Sequence, residues 1–374
     1  MKVYTFSAVG TYILYFSIII LMPILINRAY KKNTKFWWVI AWLILTIIAG
    51  FRYNTGQDWA LYENAYSNLV YHGGNFLKGL FNIEISFKLF SWISYILLGN
   101  SLLLFLLNAA LTNFFALAGI YRFKDQINPA WSVFIYTGIL HFMQYNLGRQ
   151  FLAMMIIFFA IKEIVNRHFI KFIVSVLFAS LFHSTALLVM PLYFYGISIK
   201  KGGKYTQLFN ILFYLLPIAA LLSINPLISI AHKILGNTKY NSYTLSGNIR
   251  FGLGMIMQCI LLFLVAACYK RRKCGLLNNI ALLNLLMRMY VLASVFFYLQ
   301  YIMSNFGGRI YLYFIPCEIL LTGSILSGLK LLTPSGKIRV DFYQLLLFAI
   351  TIFIIVHSVL TGSHGHVPYS FRYF

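Results

Sequence analysis

Ile83-Glu84-Ile85-Ser86-Phe87-Lys88-Leu89-Phe90-Ser91-Trp92-Ile93 decides how this chain is threaded. The segment 83–98 is apolar enough to cross a bilayer, yet it carries Glu84 and Lys88 four residues apart and serines at 86, 91 and 94. Acid and base at that spacing share one helical face, which suits a helix lying in the interface. If the segment crossed, the loop with Arg122 and Lys124 would move to the other side and every later basic loop would invert. We therefore take 83–98 as a juxtamembrane helix on the outer side.

Around it the chain is mostly hydrocarbon. Of 374 residues 61% are hydrophobic and 10% charged, which lies outside the range of soluble domains. Uncharged runs at roughly 6–26, 36–51, 101–121, 130–147, 150–166, 169–182, 185–197, 207–224, 251–270, 278–303, 308–329 and 342–361 predict an all-α polytopic membrane protein of about 12 transmembrane helices. No polar stretch is long enough for a separate soluble domain. We expect one membrane-embedded domain over 1–374, with an outer loop at 52–100 that contains the juxtamembrane helix and a second outer loop at 225–250. The first run is followed, not preceded, by Arg28, Lys31, Lys32 and Lys35. That is the reverse of a cleaved signal peptide and predicts a retained first span.

The formal charge of +23 has two readings, nucleic-acid binding or the excess of Lys and Arg that inner loops of membrane proteins carry. With 83–98 outside, most basic residues sort into inner loops: 28–35, 122–124, 162–171, 200–204, 270–273 and 330–339. No basic run is interleaved with aromatics, so no nucleic-acid partner is expected. The cysteines Cys259, Cys268, Cys274 and Cys317 lack metal-ligand spacing with histidines.

The same threading gathers the unusual polar groups on the outer side: Arg52, Asp58 and Tyr62; Arg149 and Gln150; His183; the loop 225–250 with Tyr240 and Tyr243; Arg309; and Arg372 in the tail. An arginine at a span end can snorkel to headgroups. Several on the outer face, against the charge bias, point instead to an anion, since guanidinium forks match phosphate oxygens. Asp58, one of seven acidic residues, either caps the next helix or acts as a base toward a hydroxyl. His183 is either a satisfied core histidine or an acid/base group. Arg288 and Glu318 both fall near mid-membrane on consecutive spans, and buried charge there should be paired, so a structural ion pair is expected between them. There is no Asp-x-Asp, Walker, dinucleotide, His-Glu-x-x-His or Gly-x-Ser-x-Gly motif, and no metal or cofactor is expected.

The ordered set Arg52-Tyr53…Gly56-x-Asp58…Tyr62, Glu84 at the head of the next helix, Arg149-Gln150-x-x-Ala153, Phe182-His183-Ser184-x-Ala186-Leu187, Phe306-x-x-Arg309 with Tyr311 and Tyr313-Phe314, and terminal Pro368-Tyr369 resembles the EpsG family of bacterial exopolysaccharide and O-antigen polymerases (Wzy type). Gln57 stands where that family often has a second small residue. The resemblance implies a GT-C-like, metal-independent glycosyltransferase in the bacterial cytoplasmic (inner) membrane with its active site facing the periplasm. It would transfer a growing glycan from undecaprenyl pyrophosphate to the non-reducing end of a new lipid-linked repeat unit. Implied partners are that lipid-linked oligosaccharide, membrane lipids, a chain-length regulator and a flippase. In this frame Arg149, Arg309 and Arg52 hold the leaving pyrophosphate, and Asp58 or His183 deprotonates the acceptor. Tyr62, Gln150, Tyr240, Tyr243 and Arg372 contact the glycan. The rival readings are a flippase, which should show polar groups along a path open to both sides, an O-antigen ligase, which shares the lipid donor, and a glycan acyltransferase.

Overall fold

A computed structural model describes residues 2–75, 84–201, 252–271, 279–301, 305–329 and 341–373, with Leu215 and Leu277. Its helices are α1 (Ala8–Lys31), α2 (Phe36–Gly50), α3 (Trp59–Tyr71), α4 (Ile85–Leu98), α5 (Leu102–Tyr121), α6 (Pro129–Ile135), α7 (Gly148–Val165), α8 (Phe169–Ser180), α9 (Leu192–Lys201), α10 (Leu253–Lys270), α11 (Ile280–Leu299), α12 (Asn305–Phe314), α13 (Cys317–Ser327) and α14 (Phe342–Thr361). Two short strands, β1 (Lys2–Thr5) and β2 (Ser370–Tyr373), pair antiparallel, so the fold is helical but not purely so. Among the described residues α1, α5, α11 and α14 are long and apolar enough to cross a membrane; α12 with α13, bent by 49°, passes the same test as a pair, as a broken span or a re-entrant loop would. The expected span at 207–224 and the loop at 225–250 lie outside the described residues. The remaining apolar helices are shorter. The 12 residues of α8 extend only about 18 Å, less than the hydrocarbon thickness.

Helix α7 sits at the centre, buried almost all round from Gly148 to Ile164 and packed by α5, α8, α9 and α12. Lipid gives little hydrophobic drive between helices, so close packing has to hold them. A Cβ on Gly119 of α5 would come within 2.5 Å of the Phe158 ring on α7, which is how closely these two helices approach. On the periphery the pattern inverts. Val39, Leu43 and Ile47 form one exposed stripe on α2, and Ile170, Val174, Leu177 and Phe178 form another on α8, as lipid-facing surfaces require.

The bundle has two chemically different ends. At one end Arg122 pairs with Glu163, which also meets His168 Nδ1 at 2.8 Å. Lys124 Nζ donates to Asn33 Oδ1 at 3.4 Å, and Arg271 lies 4.0 Å from Asp341, the N-cap of α14. The loops after α1, α5 and α7 therefore meet at a basic end, and the loop after α10 meets the start of α14. At the other end, Ser101 before α5 donates to Glu63 Oε2 at 2.5 Å and accepts from Arg372 Nη1 at 3.0 Å. Glu84, before α4, pairs with Arg149 on α7. The residues just before α4 and just after it thus both contact groups of this second end.

Two expectations are corrected. The run 130–147 is not one regular span. Asn128 caps α6, its Oδ1 accepting from Ala130 N at 3.1 Å with Pro129 in the first turn. The chain then passes through a π turn (Tyr136–Leu140) and a 3-10 turn (His141–Tyr145). Nor do Arg288 and Glu318 pair: none of the ion pairs among the described residues includes either. Arg288 instead sets its guanidinium 5.1 Å from the centre of the Tyr195 ring.

Candidate functional site

The stretch between α2 and α3 is held as if it were a third strand. Tyr53 N donates to Ser370 O at 2.9 Å, Arg372 N to Phe51 O at 2.9 Å and Gly56 N to Gly365 O at 2.8 Å. The chain terminus is thereby laced between residues 2–5 and 51–56. Gly56 has φ +97°, and a Cβ there would lie 2.4 Å from Tyr145 O, so only glycine fits. Beyond it Gln57 N donates to Asn146 Oδ1 at 2.7 Å. These contacts fix Asp58 at the head of α3. Its side chain makes no N-capping hydrogen bond, so the capping role considered for it is not taken.

Asp58 faces a cleft of about 880 Å³, which is also lined by Tyr62, Arg149, Gln150, His183 and Arg309. These six come from α3, α7, the break after α8, and α12. Gln57, Leu61, Met143, Leu147, Gln300, Tyr301, Gly308, Tyr311 and Leu312 complete the wall. Gln150 Nε2 donates to the Arg309 carbonyl at 2.8 Å, tying α7 to α12. Arg149 N lies 3.5 Å from the Tyr62 hydroxyl, and its guanidinium stands 5.7 Å from the centre of the Tyr62 ring.

Glu84 organises this wall from behind. Its Oε2 pairs with Arg149, and its Oε1 lies 3.2 Å from His183 Nδ1. The second contact is close but not aligned as a hydrogen bond, and both ring nitrogens of His183 are buried without a hydrogen-bonded partner. Burial by itself would raise the Glu84 carboxyl. His183 and the Arg149 charge outweigh it and hold the group at about 2. Asp58 shows the opposite balance: burial raises its carboxyl although Arg149, Arg309 and Arg52 pull it down. One carboxylate is therefore committed to the protein, while the other faces the cleft without an ion pair among the described residues.

Arg52 and Arg372 are displaced from the expected site. They are 2% and 1% exposed and do not line the cleft. Each lies 5.0 Å from the centre of the Phe105 ring. Arg52 Nη1 donates to Ala49 O at 2.6 Å. Burial lowers the Arg52 guanidinium and takes that of Arg372 to about 10. Tyr240 and Tyr243 lie outside the described residues. The role of Glu84 was not assigned from the sequence. Its signal was a rare acidic residue at a helix head, read there as part of a surface helix.

Taken with the helices, this defines a multi-pass helical membrane protein with a cleft at one end that brings two arginines together with a carboxylate and a histidine. The EpsG family model matches residues 35–371, and the chain belongs to that family of polysaccharide polymerase-like membrane proteins. No curated protein and no solved structure matches it.

Proposed function

We propose that the chain is a membrane glycosyltransferase that polymerises oligosaccharide repeat units carried on undecaprenyl pyrophosphate, on the outer face of the bacterial cytoplasmic membrane. The observation that carries this is the convergence of Arg149 and Arg309 with Asp58 and His183 in one cleft. The acceptor hydroxyl oxygen attacks the anomeric carbon of the donor glycan. The bond from that carbon to the pyrophosphate oxygen breaks, and the lipid pyrophosphate leaves with the electron pair. Arg149 and Arg309 hold it and stabilise the charge as it develops. Asp58 takes the acceptor proton, because its carboxylate is raised toward neutrality and faces the cleft. His183, set by Glu84, orients the diphosphate or a sugar hydroxyl beside it.

A flippase needs polar groups along a path to both faces. The described lining residues of this cleft all come from one end of the bundle, which favours transfer over transport. A ligase would share this cleft and differs in acceptor. Purified protein incubated with a synthetic lipid-pyrophosphate repeat should produce a ladder of products. Asp58→Asn should reduce it by at least about 10²-fold, with unaltered gel-filtration behaviour. The acid limb of the native pH profile should lie above that of an ordinary aspartate, because the base works only when ionised and burial raises its carboxyl; the limb should vanish in the variant. A normal ladder from Asp58→Asn removes Asp58 as the base. A lipid-linked polymer left untransferred in cells lacking the protein indicates a ligase.

A further inference from the structure

A second concavity of about 450 Å³ lies at the other end of the molecule, between α2 and α5, and includes Lys35, Trp38, Val39, Trp42 and Phe114 in its lining. Its walls are aromatic and almost without polar groups. Trp42 Nε1 donates inward to Ala110 O at 2.8 Å, so its donor is already satisfied by the protein. Trp38 packs edge-on against Tyr121, with ring centres 5.3 Å apart. Lys35 is its charged lining residue, at the start of α2. An adjoining polar pocket holds Lys124 with Asn33, Thr34 and one acid, Asp125. Lys124 stands 4.8 Å from the centre of the Tyr121 ring. Lys31 and Lys32 are exposed beside it. The local charge is strongly positive despite Asp125.

We infer that this groove binds one anionic phospholipid of the phosphatidylglycerol type, with an acyl chain along Trp38, Val39, Trp42 and Phe114 and its phosphate on Lys35 and Lys124. An apolar slot open to lipid takes a chain, tryptophans mark the headgroup depth, and a basic mouth selects a negative headgroup. The opposite ends of α2 and α5, at Phe51 and Ser101, are both held by Arg372 at the cleft end of the molecule. The bound lipid therefore belongs to the leaflet on the far side of the bilayer from the cleft, and this inference stands apart from the glycosyl-transfer proposal.

The test uses the full chain in phosphatidylcholine nanodiscs containing phosphatidylglycerol with a photoreactive acyl chain, and maps the labelled peptides. Label should concentrate on 36–43 and 114–121, and unlabelled phosphatidylglycerol should compete it far better than phosphatidylcholine. Lys35→Glu and Lys124→Glu should each reduce labelling roughly fivefold, as expected for one cation near an anionic headgroup, whereas Lys35→Arg and Lys124→Arg should retain it. Equal competition by phosphatidylcholine, or label spread over all lipid-facing helices, would mean only annular lipid and would overturn the assignment. So would crosslinks to a second copy of the chain, or competition by a polyprenyl diphosphate but not by phosphatidylglycerol. Competition on the unaltered protein decides the question even if a charge-reversal variant fails to fold.

Discussion

Among the described residues four arginines stand at the cleft end of this molecule, and they form two pairs with opposite fates. Arg149 and Arg309 are partly exposed and line the cleft. Arg52 and Arg372 lie behind the wall, almost fully buried and enclosed by Phe105, Tyr145, Tyr53 and Trp59. The Arg149 charge is shared with Glu84. Arg52 and Arg372 have buried nitrogens without hydrogen-bonded partners and use aromatic faces and a few oxygens instead. Arginine at this end is therefore not one signal: Arg149 and Arg309 border the cleft, whereas an aromatic-caged arginine spends its charge in the fold.

The largest effect that would test this contrast is on turnover. Arg149→Ala and Arg309→Ala should each lower polymer formation by about 10²–10³-fold, the usual consequence of removing one group that stabilises developing charge. Arg149→Lys should restore little, because an ammonium cannot reproduce the guanidinium fork. Native-like ladders from either alanine variant would place that arginine with the buried pair.

Arg52→Ala and Arg372→Ala should act on stability first. Lost packing and a cavity should cost about 2–4 kcal/mol, measured as a lower unfolding temperature in detergent. Activity per folded molecule should fall much less than for Arg149→Ala. If folding is unchanged while turnover collapses, the buried pair belongs to the site after all.

Gly56→Ala should destabilise the lacing of the terminus by about 1–3 kcal/mol, from backbone strain and the clash with Tyr145 O. Hydrogen exchange at 51–58 and 365–372 should rise together. Increased exchange at only one of the two segments would show that they are not held as one unit.

The smallest effect concerns Glu84. Its folded carboxyl is held below its unfolded value, so its contribution is fully present above the ordinary glutamate pKa and is lost as pH falls toward about 2. Between pH 5 and 3 the native protein should lose of order 1–2 kcal/mol, allowing for solvent screening, that Glu84→Gln does not lose. Parallel pH curves for the two proteins would remove Glu84 as the charge partner of Arg149.

Much of the site was legible in the sequence because charge in a membrane protein is scarce. Asp58, Tyr62, Arg149, Gln150, His183 and Arg309 were singled out by type and sidedness, and all six meet in the cleft. Arg52 and Arg372 carried the same signal and were misplaced, since nothing local to either residue reports that aromatic rings from other segments will enclose it. Glu84 was noticed, but its partners lie 65 and 99 positions away, beyond any local pattern.

Composition and hydropathy by themselves determined the solvent, the helical class and the sorting of charge to two ends, because each follows from the cost of placing one residue in hydrocarbon. They also gave the depths of Arg288 and Glu318, which are counted along a chain. Tertiary structure alone decided rotation and enclosure. It set Arg288 over the Tyr195 ring and out of ion-pair reach of Glu318. It brought the residues just before and just after α4 to groups of one end. It also wove the terminus beside 51–56, so that Asp58 is presented to the cleft. These are relations between elements, set by how helices pack against one another, and no single segment contains them.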